Sequence, residues 1–244
     1  MRVLDLFSGI GGFSLGLERA GMTTVAFCEI EPYPRKVLAK HWPGVPIYED
    51  VRDVSKQRLD ADGITGIDVI TGGFPCQDIS VAGKQAGIEG ERSGLWGEVA
   101  RTISELLPNY AIVENVSALL SGDRGGWFGR VLGDLAEIGY DCEWHCLPAS
   151  YVGAWHRRER VWIIAYPAGD SQRLAKGPIL GQRHIQVQSG GGFEEWPGRS
   201  NLPESRFRRK DDGVPARLDK GRNKGLGNAV VPQIPELIGR AIMS

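Results

Sequence analysis

The chain has 244 residues, 41% of them apolar and 24% charged, with a formal net charge of −1. That length suits one substantial core with a smaller appendage, and the composition excludes fibrous and wholly disordered classes. No run approaches the roughly eighteen apolar residues of a membrane helix. The N-terminal MRVLDLFSG lacks the apolar core and cleavage site of a secretory signal, so a cytoplasmic protein is expected.

The four cysteines, Cys28, Cys76, Cys142 and Cys146, show no disulfide-framework spacing and read as reduced thiols. Cys142 and Cys146 form a lone C-x3-C without a second ligand pair, so no metal site is expected. The small net charge hides an asymmetry. Residues 1–150 hold 13 Lys and Arg against 21 Asp and Glu, a net of −8, whereas residues 151–225 hold 15 against 8, a net of +7. A basic segment on an acidic domain is a candidate polyanion-binding surface, although most charge runs are solvated faces.

In chain order, VLDLF (3–7) reads as a buried strand and GFSLGLERAG (12–21) as a helix ended by Gly21. TVAFCEI (24–30) is a second strand, and a helix follows from after Pro34 to about Lys40. Residues 46–48 make a short third strand, with further strands at 67–73, 110–116 and 160–166. Helices are expected over 95–107 and 126–139. Short apolar runs alternating with amphipathic helices indicate a largely parallel sheet covered on both faces. From Pro167 to residue 222 the texture turns to Gly, Pro, Ser, Arg and Gln with little periodicity, as in a solvated linker or a small irregular domain. Periodicity returns in GNAVVPQIPELIGRAIM (227–243), so the chain leaves the α/β domain and comes back.

DLFSGIGG (5–12) joins the first strand to the first helix, where glycines permit a sharp turn close to a nucleotide-like ligand. A dehydrogenase fingerprint fits its spacing poorly. Glu29 and Asp50 stand at successive strand ends, suited to ribose hydroxyls and an adenine amine, although isolated acids there are more often solvated. GGFPCQDIS (72–80) displays Cys76 on a turn at the carboxyl edge of the sheet, where such folds bind substrates. Glu114, Arg158 and Arg160 lie at the ends of neighbouring strands, so a thiol, a carboxyl group and two guanidiniums converge there.

Taken in order, DLFSGIGG (5–12), Glu29, Asp50, GGFPCQDIS (72–80), RSGLW (92–96), ENV (114–116), RRER (157–160) and GNAVVP (227–232) resemble the DNA cytosine-5 methyltransferases of bacterial or phage type. The resemblance spans nearly the whole chain. It implies an α/β, S-adenosylmethionine-dependent methyltransferase fold, Rossmann-like with a mostly parallel sheet. Residues 1–166 and 223–244 would form the catalytic and cofactor domain, and 167–222 a small, irregular target-recognition domain. The implied catalytic set is Cys76, Glu114, Arg158 and Arg160. Cys76 adds to carbon 6 of a flipped cytosine, Glu114 meets ring nitrogen 3 and the exocyclic amine, Arg160 holds the carbonyl oxygen, and Arg158 orients Glu114 or supports Arg160.

For the cofactor, S-adenosyl-L-methionine, the resemblance implies Phe7, Ser8, Gly9 and Gly11 in the first loop, Glu29 on the ribose and Ile30 on the adenine face. Asp50 and Val51 would take the adenine edge, with Phe74, Pro75 and Leu95 nearby and Asn228 and Val230 closing over the methionine end. Many members carry an aromatic residue where this chain has Ile30. Double-stranded DNA is the implied partner of a monomeric enzyme, with Gln77, Ser80, Arg173, Arg199, Arg206, Arg208, Arg209 and Lys210 as candidate contacts. No membrane is involved, and a cognate restriction endonuclease is compatible with the resemblance but not implied by it. A tRNA methyltransferase on the same scaffold and a DNA-binding protein without catalysis are the alternatives, since fold does not fix substrate.

Overall fold

The computed structural model describes residues 1–74, 94–154, 156–170, 177–180, 225 and 227–244. Among these, seven strands form one sheet: β1 (Arg2–Leu6), β2 (Thr23–Cys28), β3 (Ile47–Tyr48), β4 (Val69–Gly72), β5 (Tyr110–Val116), β6 (Tyr140–Pro148) and β7 (Glu159–Pro167). Their order is β3-β2-β1-β4-β5-β7-β6. The first five pair in parallel, whereas β7 runs antiparallel to both β5 and β6. The mostly parallel, Rossmann-like sheet expected from the sequence is present.

Helices α1 (Gly12–Arg19), α2 (Pro32–His41), α3 (Lys56–Ala61), α4 (Leu95–Leu106), α5 (Gly126–Ile138) and α6 (Gln233–Met243) flank the sheet. Alternate strand residues feed two cores, as the period of two requires. Leu4, Leu6, Ile70, Val113 and Ile163 pack with Leu59, Trp96, Ile103 and Leu135 of α3, α4 and α5. Val3, Val69, Ile112 and Ile164 pack on the other side with Phe13 and Leu17 of α1 and Ile234 and Ile238 of α6. The chain's return at 227–243 therefore supplies part of the cover of one face.

The structure departs from the sequence reading at three places. Helix α2 begins at Pro32, before Pro34, because a proline in the first helical turn removes an N–H that has no intrahelical partner anyway. Strand β6 had no apolar signature: as an edge strand it buries only Tyr140 and Leu147 while carrying Asp141, Glu143 and His145. The short helix α3 was also not anticipated; Ser55 caps it by accepting from the Arg58 N–H at 3.2 Å.

At the centre of the sheet Asp5 has no exposed surface. Its carboxylate oxygens accept from Ser14 Oγ at 2.7 Å and Thr71 Oγ1 at 2.8 Å, joining β1 to α1 and β4. Burial pushes this carboxyl up from 3.8 to about 7, with both hydroxyls opposing the shift. The folded state thus favours the protonated acid. Below the unfolded value both states hold the proton. Between that value and about 7 the unfolded chain ionises first, so rising pH destabilises the fold through this group. The Asp5→Asn variant removes the titration. Its stability relative to wild type, from urea unfolding at several pH values, should improve from the acidic to the slightly alkaline side of neutrality. A difference independent of pH would show that Asp5 does not titrate in this way.

Candidate active site

Strand order reverses at β1, whose neighbours β2 and β4 are reached by connections running in opposite directions. Open α/β sheets bind ligands at this point, outside the carboxyl ends of the strands. The residues after β1, β2, β3, β4 and β5 all gather along that edge. Because β7 runs antiparallel, its beginning lies there too: Val116 pairs with Arg160, and Glu114 with Trp162.

On one side is the loop after β1. Phe7, Gly9 and Gly11 have positive φ of 52°, 54° and 87°. A Cβ on Gly11 would lie 2.6 Å from the Trp42 ring, so only glycine fits. A Cβ on Gly9 would meet nothing within 4 Å, so this backbone borders open space. The Gly9 N–H donates to Glu29 Oε2 at 2.7 Å, and the Glu31 N–H donates to Glu29 Oε1 at 2.8 Å, fixing that carboxylate after β2. Ser8 is buried, and its hydroxyl donates to the carbonyl of Asp5, locking the turn between β1 and β2. Ile30 is 63% exposed, an apolar ledge at the strand end. Val51 is buried, and Asp50 accepts from the Arg52 N–H and guanidinium, which hold its carboxyl down at about 2. Leu95 opens α4, and Asn228 and Val230 lie just before α6.

On the other side is Glu114 of β5. Its Oε1 stands 3.0 Å from Arg160 Nε, and both side chains are largely withdrawn from solvent. Burial pushes the Glu114 carboxyl up, while the charges of Arg160 and Arg158 pull it back. Arg160 Nη1 also donates to the Glu159 carbonyl at 2.8 Å. Arg158 does not bond Glu114 directly; its Nη1 donates to the Gly227 carbonyl at 2.5 Å. Gly73 lies beside the pair, with Glu114 Oε2 3.3 Å from where its Cβ would be. Phe74 is buried, its ring 5.4 Å from that of Trp96, whose Nε1 donates to Asp134 Oδ2 at 2.7 Å. Residues 74 and 96, on the two flanks of the segment carrying Cys76, are thereby held in contact.

Pro75, Cys76, Gln77, Ser80, Arg173, Arg199, Arg206, Arg208, Arg209 and Lys210 lie outside the described residues. The other sequence-predicted site residues line the one edge. Two contributors were not singled out from sequence. Asn115, in the ENV run, is buried; its Nδ2 donates to the Phe74 carbonyl at 3.3 Å and its Oδ1 accepts from the Val116 N–H at 2.8 Å. Asp5 is the other, and no local signal marked it, since Thr71 is 66 residues away. The thiols of Cys28 and Cys142 are pushed up to about 12 by burial, which leaves both protonated and unreactive near neutral pH.

The model of the C-5 cytosine-specific DNA methylase family matches residues 1–212. Over 169 residues the chain is 37% identical to the type II methyltransferase M2.BsuMI of Bacillus subtilis, covering 68% of this chain and 42% of that protein. It is 35% identical over 181 residues to the type II methyltransferase M.Sau3AI of Staphylococcus aureus, covering 68% and 43%. The chain thus spans about two fifths of the length of these relatives. A crystal structure of an E. coli protein described as a prophage-encoded DNA modification methyltransferase superposes with a TM-score of 0.61 at 28% identity, covering 72% of this chain and 48% of that one.

The Asn115 bonds generate a stability prediction. Asn115→Ala leaves the Phe74 carbonyl and the Val116 N–H without their side-chain partner in a buried setting. An unsatisfied buried group costs about 1–3 kcal/mol. Urea unfolding should show a loss of that size, and a variant as stable as wild type would mean that the two bonds hold nothing in place.

Proposed function

The chain belongs to the C-5 cytosine-specific DNA methylase family, and from that premise we propose that it methylates carbon 5 of a cytosine within a specific double-stranded DNA site. The observation that carries the reading is the shielded Glu114–Arg160 pair beside Gly73, three residues before Cys76. A carboxyl with a raised proton affinity and an adjoining guanidinium together match the donor and acceptor edge of a cytosine ring.

S-adenosyl-L-methionine fits the other half of the edge. Glu29 offers a fixed carboxylate for a ribose diol, Ile30 an apolar surface for a purine, and Gly9 an open backbone approach. Phe7, Ser8, Gly11, Asp50, Val51, Phe74, Pro75, Leu95, Asn228 and Val230 complete the proposed cofactor set. When bound, the cofactor supplies an electrophilic methyl group.

The chain's residues do the rest. The Cys76 thiolate bonds carbon 6 of a cytosine turned out of the duplex, and Glu114 shares its proton with ring nitrogen 3. Arg160 holds the carbonyl oxygen as negative charge grows there. Carbon 5, now enamine-like, would take the methyl group that the cofactor supplies, with S-adenosylhomocysteine as the leaving group. A proton then leaves carbon 5 for water, the sulfur–carbon 6 bond breaks, and the ring-nitrogen proton returns to Glu114. Residues 167–222 carry target recognition in this reading, supported by the +7 balance of 151–225. Gln77, Ser80 and the basic residues Arg173, Arg199, Arg206, Arg208, Arg209 and Lys210 are the DNA contacts.

Three experiments test the proposal. A duplex carrying 5-fluorocytosine at the methylated position should trap the enzyme, since fluorine cannot leave as a proton. Mass spectrometry should locate the bond on Cys76; an adduct on another cysteine, or activity in Cys76→Ala, rejects the nucleophile. Running the methyl-transfer assay with tRNA beside duplex DNA separates the substrate classes. Glu114→Gln should lower the rate by about 10²–10⁴-fold, the contribution of a general acid–base group. Its cofactor affinity should change little, and a near-normal rate would make Glu114 merely structural.

A further inference from the structure

The segment that returns to the domain before α6 touches both halves of the edge. Gly225 is buried against Tyr33 and Ile10, with those side chains 3.4 and 3.5 Å from where its Cβ would stand. The Val230 carbonyl lies 2.5 Å from the equivalent point on Gly12, at the start of α1. Between these contacts on the cofactor side, the Gly227 carbonyl accepts from Arg158 Nη1 at 2.5 Å. Arg158 is half-buried and has φ of 20°, unusual for a residue with a Cβ. Its charge is felt by Glu114 and by Arg160. One side chain therefore joins the strap across the cofactor loop to the pair that faces the base.

We propose that Arg158 is a positioning residue that couples the seating of Gly225 and the 227–231 strap over the cofactor to the alignment of the Glu114–Arg160 pair. With the cofactor bound, the strap is held against α1 and α2, and the Gly227 carbonyl fixes the Arg158 guanidinium. Arg158 in turn fixes the field and the backbone at the start of β7, from which Arg160 reaches Glu114. Without the latch, each half orders separately. The argument deepens the methyltransferase reading and rests on its cofactor assignment.

Hydrogen–deuterium exchange on the full chain tests it, with S-adenosylhomocysteine as the probe because it cannot transfer a methyl group. In wild type the probe should slow exchange both at 227–231 and at 156–160, with the cofactor loop 7–11 as the control for binding. Coupling between two sites typically amounts to roughly 5–150-fold, and the slowing at 156–160 should lie in that range. Arg158→Ala should keep protection at 7–11 and lose it at 156–160. Arg158→Lys, which retains a donor and a charge without the planar fork, should restore part of it and also serves if the alanine variant does not fold. Protection at 156–160 that survives in Arg158→Ala, or that is absent in wild type, overturns the coupling. Loss of methylation with unchanged protection would also overturn it, assigning Arg158 to direct contact with DNA. A wild-type chain that does not bind the probe overturns the cofactor reading and this inference together, whereas probe binding with no shared protection overturns the inference alone.

Discussion

A carboxyl group that water does not reach ties the centre of this sheet together. Asp5 sits one residue before the end of β1, and its two oxygens take hydroxyls from α1 and β4. Leaving such a group unpaired in an apolar interior would be costly, so the two hydroxyls are what make its burial tolerable. Their consequence is geometric. The end of β1, the start of α1 and the end of β4 are fixed to one another, and the loop Phe7–Gly11 and the pair Gly73–Phe74 leave from those points. The glycine turn after β1 and the entrance to the segment that carries Cys76 therefore share one anchor.

The reversed direction of β7 is the second constraint. A parallel strand beside β5 would begin at the far edge of the sheet and carry Arg158 and Arg160 away from Glu114. The short 3-10 turn Ala149–Val152 after β6 brings the chain back antiparallel, and the register then sets Arg160 opposite Val116. Glu114 and Arg160 are thereby paired where solvent is scarce. Such pairs add little net stability, yet removal of one partner leaves an uncompensated charge, which typically costs about 3–5 kcal/mol. The arrangement is better understood as chemistry than as scaffolding: burial and the guanidiniums push the carboxyl in opposite directions, which suits a group that shares a proton.

Much of this was legible in the sequence, and the reasons differ by element. YAIVENV was read as a strand over 110–116, and β5 has those bounds, because a strand buried on both faces is nearly continuously apolar. The glycine turn after β1 and the acids after β2 and β3 were legible because strand ends of such sheets are where ligands bind. YDCEWHCLP was not, because β6 is an edge strand whose polar residues obscure any apolar run. Contacts between distant residues were also hidden. The Asp5–Thr71 bond spans 66 residues and the Arg158–Gly227 bond spans 69, and no local pattern encodes either. Arg158 is expected to serve Glu114 or Arg160; its charge acts on Glu114, and its hydrogen bond to the Gly227 carbonyl of the returning segment is what the sequence did not reveal.

The described residues on either side of 181–224 show how the chain is tied to the domain before and after that stretch. The chain leaves β7 at Pro167, at the end of the sheet away from the candidate site, where Pro167 pairs with Tyr140. By Ile179 and Leu180 it is back on the flank: their N–H groups donate to Glu143 of β6 at 2.9 and 3.1 Å, and both side chains are buried in the α1–α6 core. At the other end, Gly225 is packed on Tyr33 and Ile10, and α6 lies against α1 through Ile234 and Ile238. Described residues on either side of the 181–224 stretch are thus fixed within the domain, Ile179 and Leu180 to the edge strand β6 and Gly225 to Ile10 of the loop after β1 and Tyr33 of α2. Among the described residues, the Asp5 node is built from β1, α1 and β4, and the Glu114–Arg160 register from β5 and β7, all of them elements outside the stretch between those two anchors.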